Sequence, residues 1–95
     1  MKFRNDAEES RLVAINDEGK AVGALSYKMV DGDKWDIYST FVGREHQGQG
    51  IAGKLLDEVM AMALEKNLKI IPTCSYIEYA FEKYPEKYDA VNALK

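Results

Sequence analysis

Apolar and polar residues alternate along the first half of the chain, which is the pattern of β-strands that bury one face. Three segments carry this pattern: Arg11–Ile15, Lys20–Val30 and Trp35–Val42. Asp31-Gly32 separates the last two and is a hairpin signal, because both central residues of a type I′ turn take positive φ. The pattern predicts an antiparallel meander of three strands after a polar, loosely ordered start at residues 1–7.

The apolar spacing then changes to three or four residues, which predicts a helix from about Gln49 to about Lys66. A short apolar strand follows at Lys69–Cys74, and we expect it to lie parallel to the strand before the helix. Pro72 has no N–H donor, so pairing should fail there or the strand should form an edge. Strict alternation assigns one face of the third strand to Trp35, Ile37, Ser39 and Phe41.

A second helix is predicted to follow at once, from Ser75 to about Lys83. Ser75 and Glu78 have the spacing of a capping box, and Pro85 should end the helix. The predicted order of elements is therefore β-β-β-α-β-α. This order makes the fold class α+β, with a mixed sheet.

Composition narrows the classes of protein and partner. The 95 residues are enough for one domain, and we expect residues 1–95 to form it. The net charge of −3 disfavours nucleic acid as a partner and suits an amine-bearing one. A single cysteine fits a reducing compartment, and no segment resembles a signal peptide or a membrane span. We therefore expect a cytoplasmic protein without a membrane partner, and a monomer is compatible with the sequence.

The glycine-rich stretch before the first helix is the main candidate for chemistry. Gly48, Gly50 and Gly53 can expose consecutive backbone N–H groups, and the positive end of the helix dipole lies at the same place. A loop of this kind is a ready anion site, usually for phosphate.

Three phosphate-binding motifs fit this stretch in part. Gly48-x-Gly50-x-x-Gly53 has the spacing of a dinucleotide site, but no acidic residue follows where the ribose would need one. The nucleotide P-loop requires Ser or Thr after Lys54, and the sequence has Leu55 there. The third motif is Gln47-x-x-Gly50-x-Ala52, between a predicted strand and a predicted helix.

This third motif resembles the (Arg/Gln)-x-x-Gly-x-(Gly/Ala) signature of the GNAT superfamily of N-acetyltransferases. Further segments look like a compact, single-domain GNAT-like family that carries a cysteine on the strand after the helix. These segments are Ser39–Val42, Leu68–Tyr76 with its Pro-x-Cys-Ser-Tyr run, and Tyr84–Tyr88. The resemblance covers roughly residues 10–88.

The resemblance implies a GNAT-like core: an antiparallel meander plus a parallel strand pair that splays at the coenzyme A site. A bulge near Thr40 would favour the splay. Acetyl-CoA is the implied co-substrate, without a metal, its diphosphate held by the loop and its pantetheine arm by the strand. The implied binding residues are Thr40, Phe41, Val42, Gln47, Gly48, Gln49, Gly50, Ile51, Ala52, Gly53 and Lys54.

Cys74 is the candidate catalytic residue. It would lie at the end of the second splayed strand, where its thiol would accept the acetyl group or protonate the departing thiolate. A packing role as a small hydrophobe is the alternative. Tyr84 resembles the superfamily's tyrosine acid, with Tyr79 as a second candidate, and His46 is a candidate base or phosphate contact.

The resemblance therefore implies transfer of an acetyl group from acetyl-CoA to a primary amine. The alternative is a module that binds acetyl-CoA or CoA without catalysis. Two features favour the alternative: Ser39 replaces the histidine common in the compact family, and a small chain offers little surface for an acceptor pocket.

Overall fold

Five strands form one mixed sheet, and all helices pack on one side of it. A computed structural model describes residues 1–95. The strands lie in the order β1-β2-β3-β4-β5, antiparallel except for the parallel pair β4 and β5. Their bounds are Lys2–Asp6, Arg11–Ile15, Ala21–Val30, Lys34–Val42 and Lys69–Ile71, and those of α1, α2 and α3 are Ile51–Lys66, Ser75–Lys83 and Pro85–Tyr88. The α+β class and the mixed sheet are confirmed.

The first strand corrects the expectation of a loose start. β1 pairs with β2, and its inward side chains hold it in place. Phe3 packs against the core, and the Asn5 side chain accepts a 2.6 Å hydrogen bond from the Tyr27 hydroxyl. Its polar composition hid the strand, because the other face of an edge strand is free to carry charge.

The hairpin between β3 and β4 forms as predicted. Asp31 and Gly32 have φ values of 55° and 73°, and the Asp33 N–H donates to the Val30 carbonyl at 3.3 Å. Two positive φ values in succession are the signature of a type I′ turn.

A bulge in β4 changes which side chains face the helices. Ser39 lies opposite Ser26 and Ile37 lies opposite Tyr27, which leaves Tyr38 as the extra residue. The strict alternation predicted for this strand is therefore wrong beyond Ile37, because a bulge reverses the faces that follow it. Thr40 and Val42 lie on the helix side, and Phe41 is 64% exposed on the other.

The core lies between the sheet and α1. Leu55, Leu56 and Val59 of α1 are fully buried against β2, β3, β4 and β5. α2 and α3 pack beside α1: the Phe81 and Tyr88 rings stack at 5.2 Å, and the Tyr88 hydroxyl donates to Asp57 of α1 at 2.9 Å. No helix lies over the opposite side of the sheet, which we term the uncovered face.

The C-terminal third agrees with expectation at Pro72 and differs from it in two later places. β5 ends at Ile71, before Pro72, so the pairing fails there as predicted. α2 has Cys74 as its N-cap with no side-chain cap hydrogen bond, so the predicted capping box is wrong. Pro85 ends α2 but also begins the unpredicted α3, since proline is favoured in a first helical turn.

Packing reaches beyond residues 10–88 at the C-terminal end as well. Ile70 of β5 accepts a 2.8 Å hydrogen bond from the Ala93 N–H, and the intervening Val91 is fully buried. This segment covers the outer edge of β5. No helix of the chain combines the length and apolar composition needed to cross a membrane.

Candidate active site

The two parallel strands separate after a short paired stretch. Pairing between β4 and β5 ends at Asp36 and Ile71, and the last link is a 2.9 Å hydrogen bond from the Cys74 N–H to the Ile37 carbonyl. β4 continues to Val42 without a strand on that side. Its main-chain groups from Tyr38 onward can therefore accept an extended ligand as an added strand.

The loop that follows β4 presents unused backbone donors. No N–H from Gln47 to Gly53 donates a hydrogen bond to another part of the chain. Gly48 and Gly50 have φ values of 81° and 77°, and a Cβ atom at either would meet nothing within 4 Å. Glycine is therefore favoured by the positive φ rather than by crowding. The N-terminus of α1 adds the positive end of its dipole.

A cleft of about 370 Å³ joins the separated strand to this loop. It is lined by Thr40, Val42, His46, Gln47, Gly48, Gly50, Ile51, Ala52, Gly53 and Tyr76. Most of the predicted binding residues thus surround one space.

Three predicted binding residues do not line the cleft. The Phe41 side chain lies on the uncovered face because of the bulge in β4. Gln49 is exposed at the tip of the loop, and Lys54 lies near Asn16 and Asp17 on another side of α1.

Two side chains of the loop have defined surroundings. The Gln47 amide donates to the Val42 carbonyl at 3.2 Å, so it ties the loop to the end of β4. His46 lines the cleft, and its Nε2 atom is buried without a hydrogen-bond partner in the chain. Glu45, by contrast, is exposed.

Cys74 lies where the two strands part. Its thiol is half-buried and donates to the Thr40 hydroxyl, with 3.6 Å between Sγ and Oγ1. Because Cys74 is also the N-cap of α2, its backbone position is fixed by that helix. The thiol therefore lies across the strand separation from the wall of the cleft.

Tyr76 is a cleft residue that the sequence reasoning missed. Its hydroxyl lies 3.5 Å from the position of a Cβ on Gly53, and it has no hydrogen-bond partner in the chain. Burial, with a smaller contribution from the charge of Asp57, raises the pKa of Tyr76, so the phenol stays protonated as a donor. In the sequence, only its place two residues after Cys74 indicated that Tyr76 lies near the site.

The other tyrosine candidates lie elsewhere. Tyr79 and Tyr84 are both exposed, and each ring has the Lys83 ammonium within 6 Å rather than a position in the cleft. No cluster of three or more His, Cys, Asp or Glu side chains is placed to hold a metal ion.

The five-stranded mixed sheet with its parallel strand pair matches the fold of solved GNAT acetyltransferases. The sequence matches the family described as GCN5-related N-acetyl-transferase over residues 11–91. The chain belongs to this family, whose members transfer acetyl groups from acetyl-CoA.

Solved structures agree with this assignment. A GCN5-like protein from Staphylococcus aureus, determined by NMR, is 34% identical with a TM-score of 0.76, over 96% of this chain and 86% of that one. A GNAT family acetyltransferase from Elizabethkingia anophelis with acetyl-CoA bound is 26% identical with a TM-score of 0.61, over 78% of this chain and 51% of that one.

A second Staphylococcus aureus protein, a GNAT family acetyltransferase of strain Mu50, shares the fold at 23% identity and a TM-score of 0.63. The match covers 83% of this chain and 54% of that one, so this chain spans about half the length of the longer acetyltransferases. No curated protein matches the sequence at a significant level.

Proposed function

We propose that this protein binds acetyl-CoA in the cleft and transfers the acetyl group to a primary amine. The observation that carries the proposal is the row of unused N–H donors from Gln47 to Gly53 beside the unpaired edge of β4. The acetyl-CoA bound in the Elizabethkingia anophelis acetyltransferase supports the choice of ligand.

The residues present fit a long ligand with a diphosphate near its middle. The N–H groups of the loop and the dipole of α1 would hold the diphosphate. The backbone of Thr40–Val42 would hold the pantetheine arm by strand addition. A cleft of about 370 Å³ is large enough for these parts but not for the whole coenzyme, which leaves the adenosine end on the surface.

When bound, acetyl-CoA supplies an acetyl group activated as a thioester. Transfer forms a bond between the amine nitrogen and the carbonyl carbon and breaks the carbon–sulfur bond. The nitrogen loses a proton, and the sulfur leaves and ends as a thiol. Orientation of the two reactants can supply much of the acceleration.

We propose that Asp36 receives the amine. It is the last residue of β4 paired with β5, and its Oδ1 atom is buried without a hydrogen-bond partner in the chain. A carboxylate there would attract an ammonium group and take up the proton that the nitrogen loses.

Cys74 serves the transfer in one of two ways. Its thiol gives a proton to the departing sulfur, or it loses that proton, takes the acetyl group and passes it to the amine. The two routes differ in one observable, because only the second leaves an acetyl group on Cys74.

A binding module without turnover is the second candidate, favoured by Ser39 at the place of the compact family's histidine. The two candidates are separated by mixing the protein with acetyl-CoA and a panel of amines and measuring the release of free thiol. We expect release that depends on the amine. Binding without release would indicate the module, and absence of binding would contradict both.

A further inference from the structure

The uncovered face carries an ordered row of side chains next to the strand separation. Strand register places Arg4, Val13, Ala24 and Phe41 opposite one another across β1 to β4. A groove of about 210 Å³ lies between Phe41 and Arg11. Phe41 is 64% exposed, so its ring offers an apolar contact at one end of this groove.

The strands β1 and β2 present more basic than acidic side chains on this face, although the whole chain has a net charge of −3. Lys2, Arg4 and Arg11 are exposed there beside Asp6, and Glu8 and Glu9 lie in the turn that joins the two strands. Asp6 accepts a hydrogen bond from the Glu9 N–H, and neither arginine forms an ion pair within the chain. Free cations at this end favour a partner that carries negative charge.

This face is also the side from which an acceptor would reach the thioester. The cleft opens on the helix side, so a thioester between β4 and β5 would be open to attack from the opposite side. Asp36 and Ser39 lie on that side at the separation. Neighbouring strands are about 4.8 Å apart, so β2 and β1 lie about 10 and 14 Å from β4.

We propose that the acceptor is a polypeptide segment that lies across the uncovered face. Its amine would enter beside Asp36, an apolar side chain would pack on Phe41, and an acidic side chain would pair with Arg11. Arg11 lies two strands across and two residues along the sheet from Asp36, so about 12 Å separates them, against about 20 Å for Arg4. An extended segment rises about 3.3 Å per residue, so the acid would lie about three or four residues from the amine. At about 210 Å³ the groove is smaller than the roughly 300–1,000 Å³ pockets that enclose a small ligand, which favours a polypeptide. This inference rests on the proposed acetyl transfer.

Matched peptides test it. One peptide carries a single lysine with aspartate four residues away, and a second has asparagine in place of that aspartate. A third replaces the lysine with an analogue that has no free amine. Acetyl incorporation is measured by mass spectrometry, with n-butylamine as the small acceptor. We expect the aspartate peptide to show a kcat/KM about tenfold above the asparagine peptide, in line with a well-placed ion pair.

Charge reversal adds a second readout. The double variant Arg4→Glu/Arg11→Glu should lose that preference, and a peptide with arginine in place of aspartate should then become the better substrate. The acetyl-CoA affinity of the double variant should be unchanged, because neither arginine lines the cleft. Lys66→Glu/Lys95→Glu is the matched control, with the same change in charge at exposed sites, and should keep the wild-type preference.

Equal rates on charged and neutral peptides, or faster acetylation of n-butylamine than of any peptide, would overturn the inference while leaving acetyl transfer intact. A wild-type dimer in sedimentation that the double variant loses would also overturn it, because a second copy would then cover the face. Failure of the wild-type protein to bind acetyl-CoA would instead contradict the proposed function.

Discussion

Single residues decide whether the cleft can hold an anion. Gly50 is both the N-cap of α1 and a residue with positive φ, so its N–H and those after it point away from the helix body. Tyr76 lines the other side of the cleft, and the Cys74 thiol donates to Thr40 in the cleft wall. Each of these three residues therefore allows a separate test of the site.

Gly50→Glu should abolish acetyl-CoA binding and leave the fold intact. The carboxylate would repel the diphosphate, and a non-glycine residue at this φ costs only about 1–2 kcal/mol. Calorimetry measures binding, and circular dichroism measures folding. Gly32→Glu is the matched control, because Gly32 has φ 73° in the turn at the other end of β4. Unchanged affinity in Gly50→Glu would show that the loop is not the binding site.

Cys74→Ser should slow transfer by about tenfold or more and change the acetyl-CoA dissociation constant by less than about twofold. Serine can keep a hydrogen bond to Thr40 but is a weaker acid and a poorer nucleophile. Steady-state kinetics give the rate, and mass spectrometry of the wild-type protein detects acetyl-Cys74. A wild-type rate in Cys74→Ser would leave the thiol with a packing role alone.

Tyr76→Phe should weaken acetyl-CoA binding about tenfold, since a hydrogen bond to a charged group contributes about 1.5–3 kcal/mol. Because burial raises the pKa of Tyr76 above its ordinary value of 10.0, the phenol stays protonated well below that pH. The difference in affinity between wild type and variant should therefore stay constant from pH 7 to 9. Equal affinities at pH 7 would place the hydroxyl outside the binding site.

Among the secondary-structure elements, β4 combines the most roles. One face of it closes the core, its bulge at Tyr38 directs Thr40 and Val42 to the cleft, and its unpaired edge lies open. Tyr76 of α2 lines the other wall of the cleft. α3 packs on α2 and is joined to α1 by the hydrogen bond from Tyr88 to Asp57. The contact between α3 and α1 can be tested separately from the cleft.

Tyr88→Phe should destabilise the protein by about 1 kcal/mol, because it removes the 2.9 Å hydrogen bond to Asp57. Burial, then the hydrogen bond to Asp57, raises the pKa of Tyr88 in the folded state. The contribution of Tyr88 to the free energy of unfolding is therefore complete below the ordinary pKa of 10.0 and is lost as the pH rises above it. Guanidinium unfolding should show a smaller difference in stability between wild type and Tyr88→Phe at pH 10.5 than at pH 8.

Tyr38→Phe is the control for this measurement, since Tyr38 is exposed and its hydroxyl makes no hydrogen bond in the chain. It should leave stability unchanged at both pH values. A Tyr88→Phe difference that grows with pH would contradict the assigned direction of the pKa shift.

Local patterns predicted the elements whose cause is local, and they missed those whose cause lies elsewhere in the chain. Apolar spacing located α1, and Asp31-Gly32 located the hairpin, because both depend on neighbouring residues. β1 was missed because its inward residues, Phe3 and Asn5, have partners far along the chain. A bulge was expected near Thr40, but the reversal at Phe41 follows from its position at Tyr38, which pairing with β3 sets.

The candidate site was predicted to a similar extent. The glycine spacing identified the loop, because a loop followed by a helix start is a local feature. Tyr76 was missed because its place beside Gly53 depends on how α2 packs against α1. Tyr79 and Tyr84 were assigned from helix position alone, and packing directs them to the surface.

At the scale of the whole molecule, two layers leave two different faces for two ligands. The helix side has the glycine loop and the cleft, and the uncovered face has exposed cations and Phe41. The separation of β4 from β5 connects the two sides. Under the proposed function, this arrangement would bring a coenzyme and an acceptor together on a chain that spans about half the length of its longer relatives.

The central claim is that backbone amides of the loop hold the diphosphate of acetyl-CoA. Titration of ¹⁵N-labelled protein with acetyl-CoA, followed by NMR, tests it at every amide at once. The account predicts the largest shifts at Gln47–Gly53, with smaller ones at Thr40–Val42 and none in the hairpin turn at Asp31 and Gly32. Shifts confined to amides far from the loop, or no shifts at saturating acetyl-CoA, would contradict it.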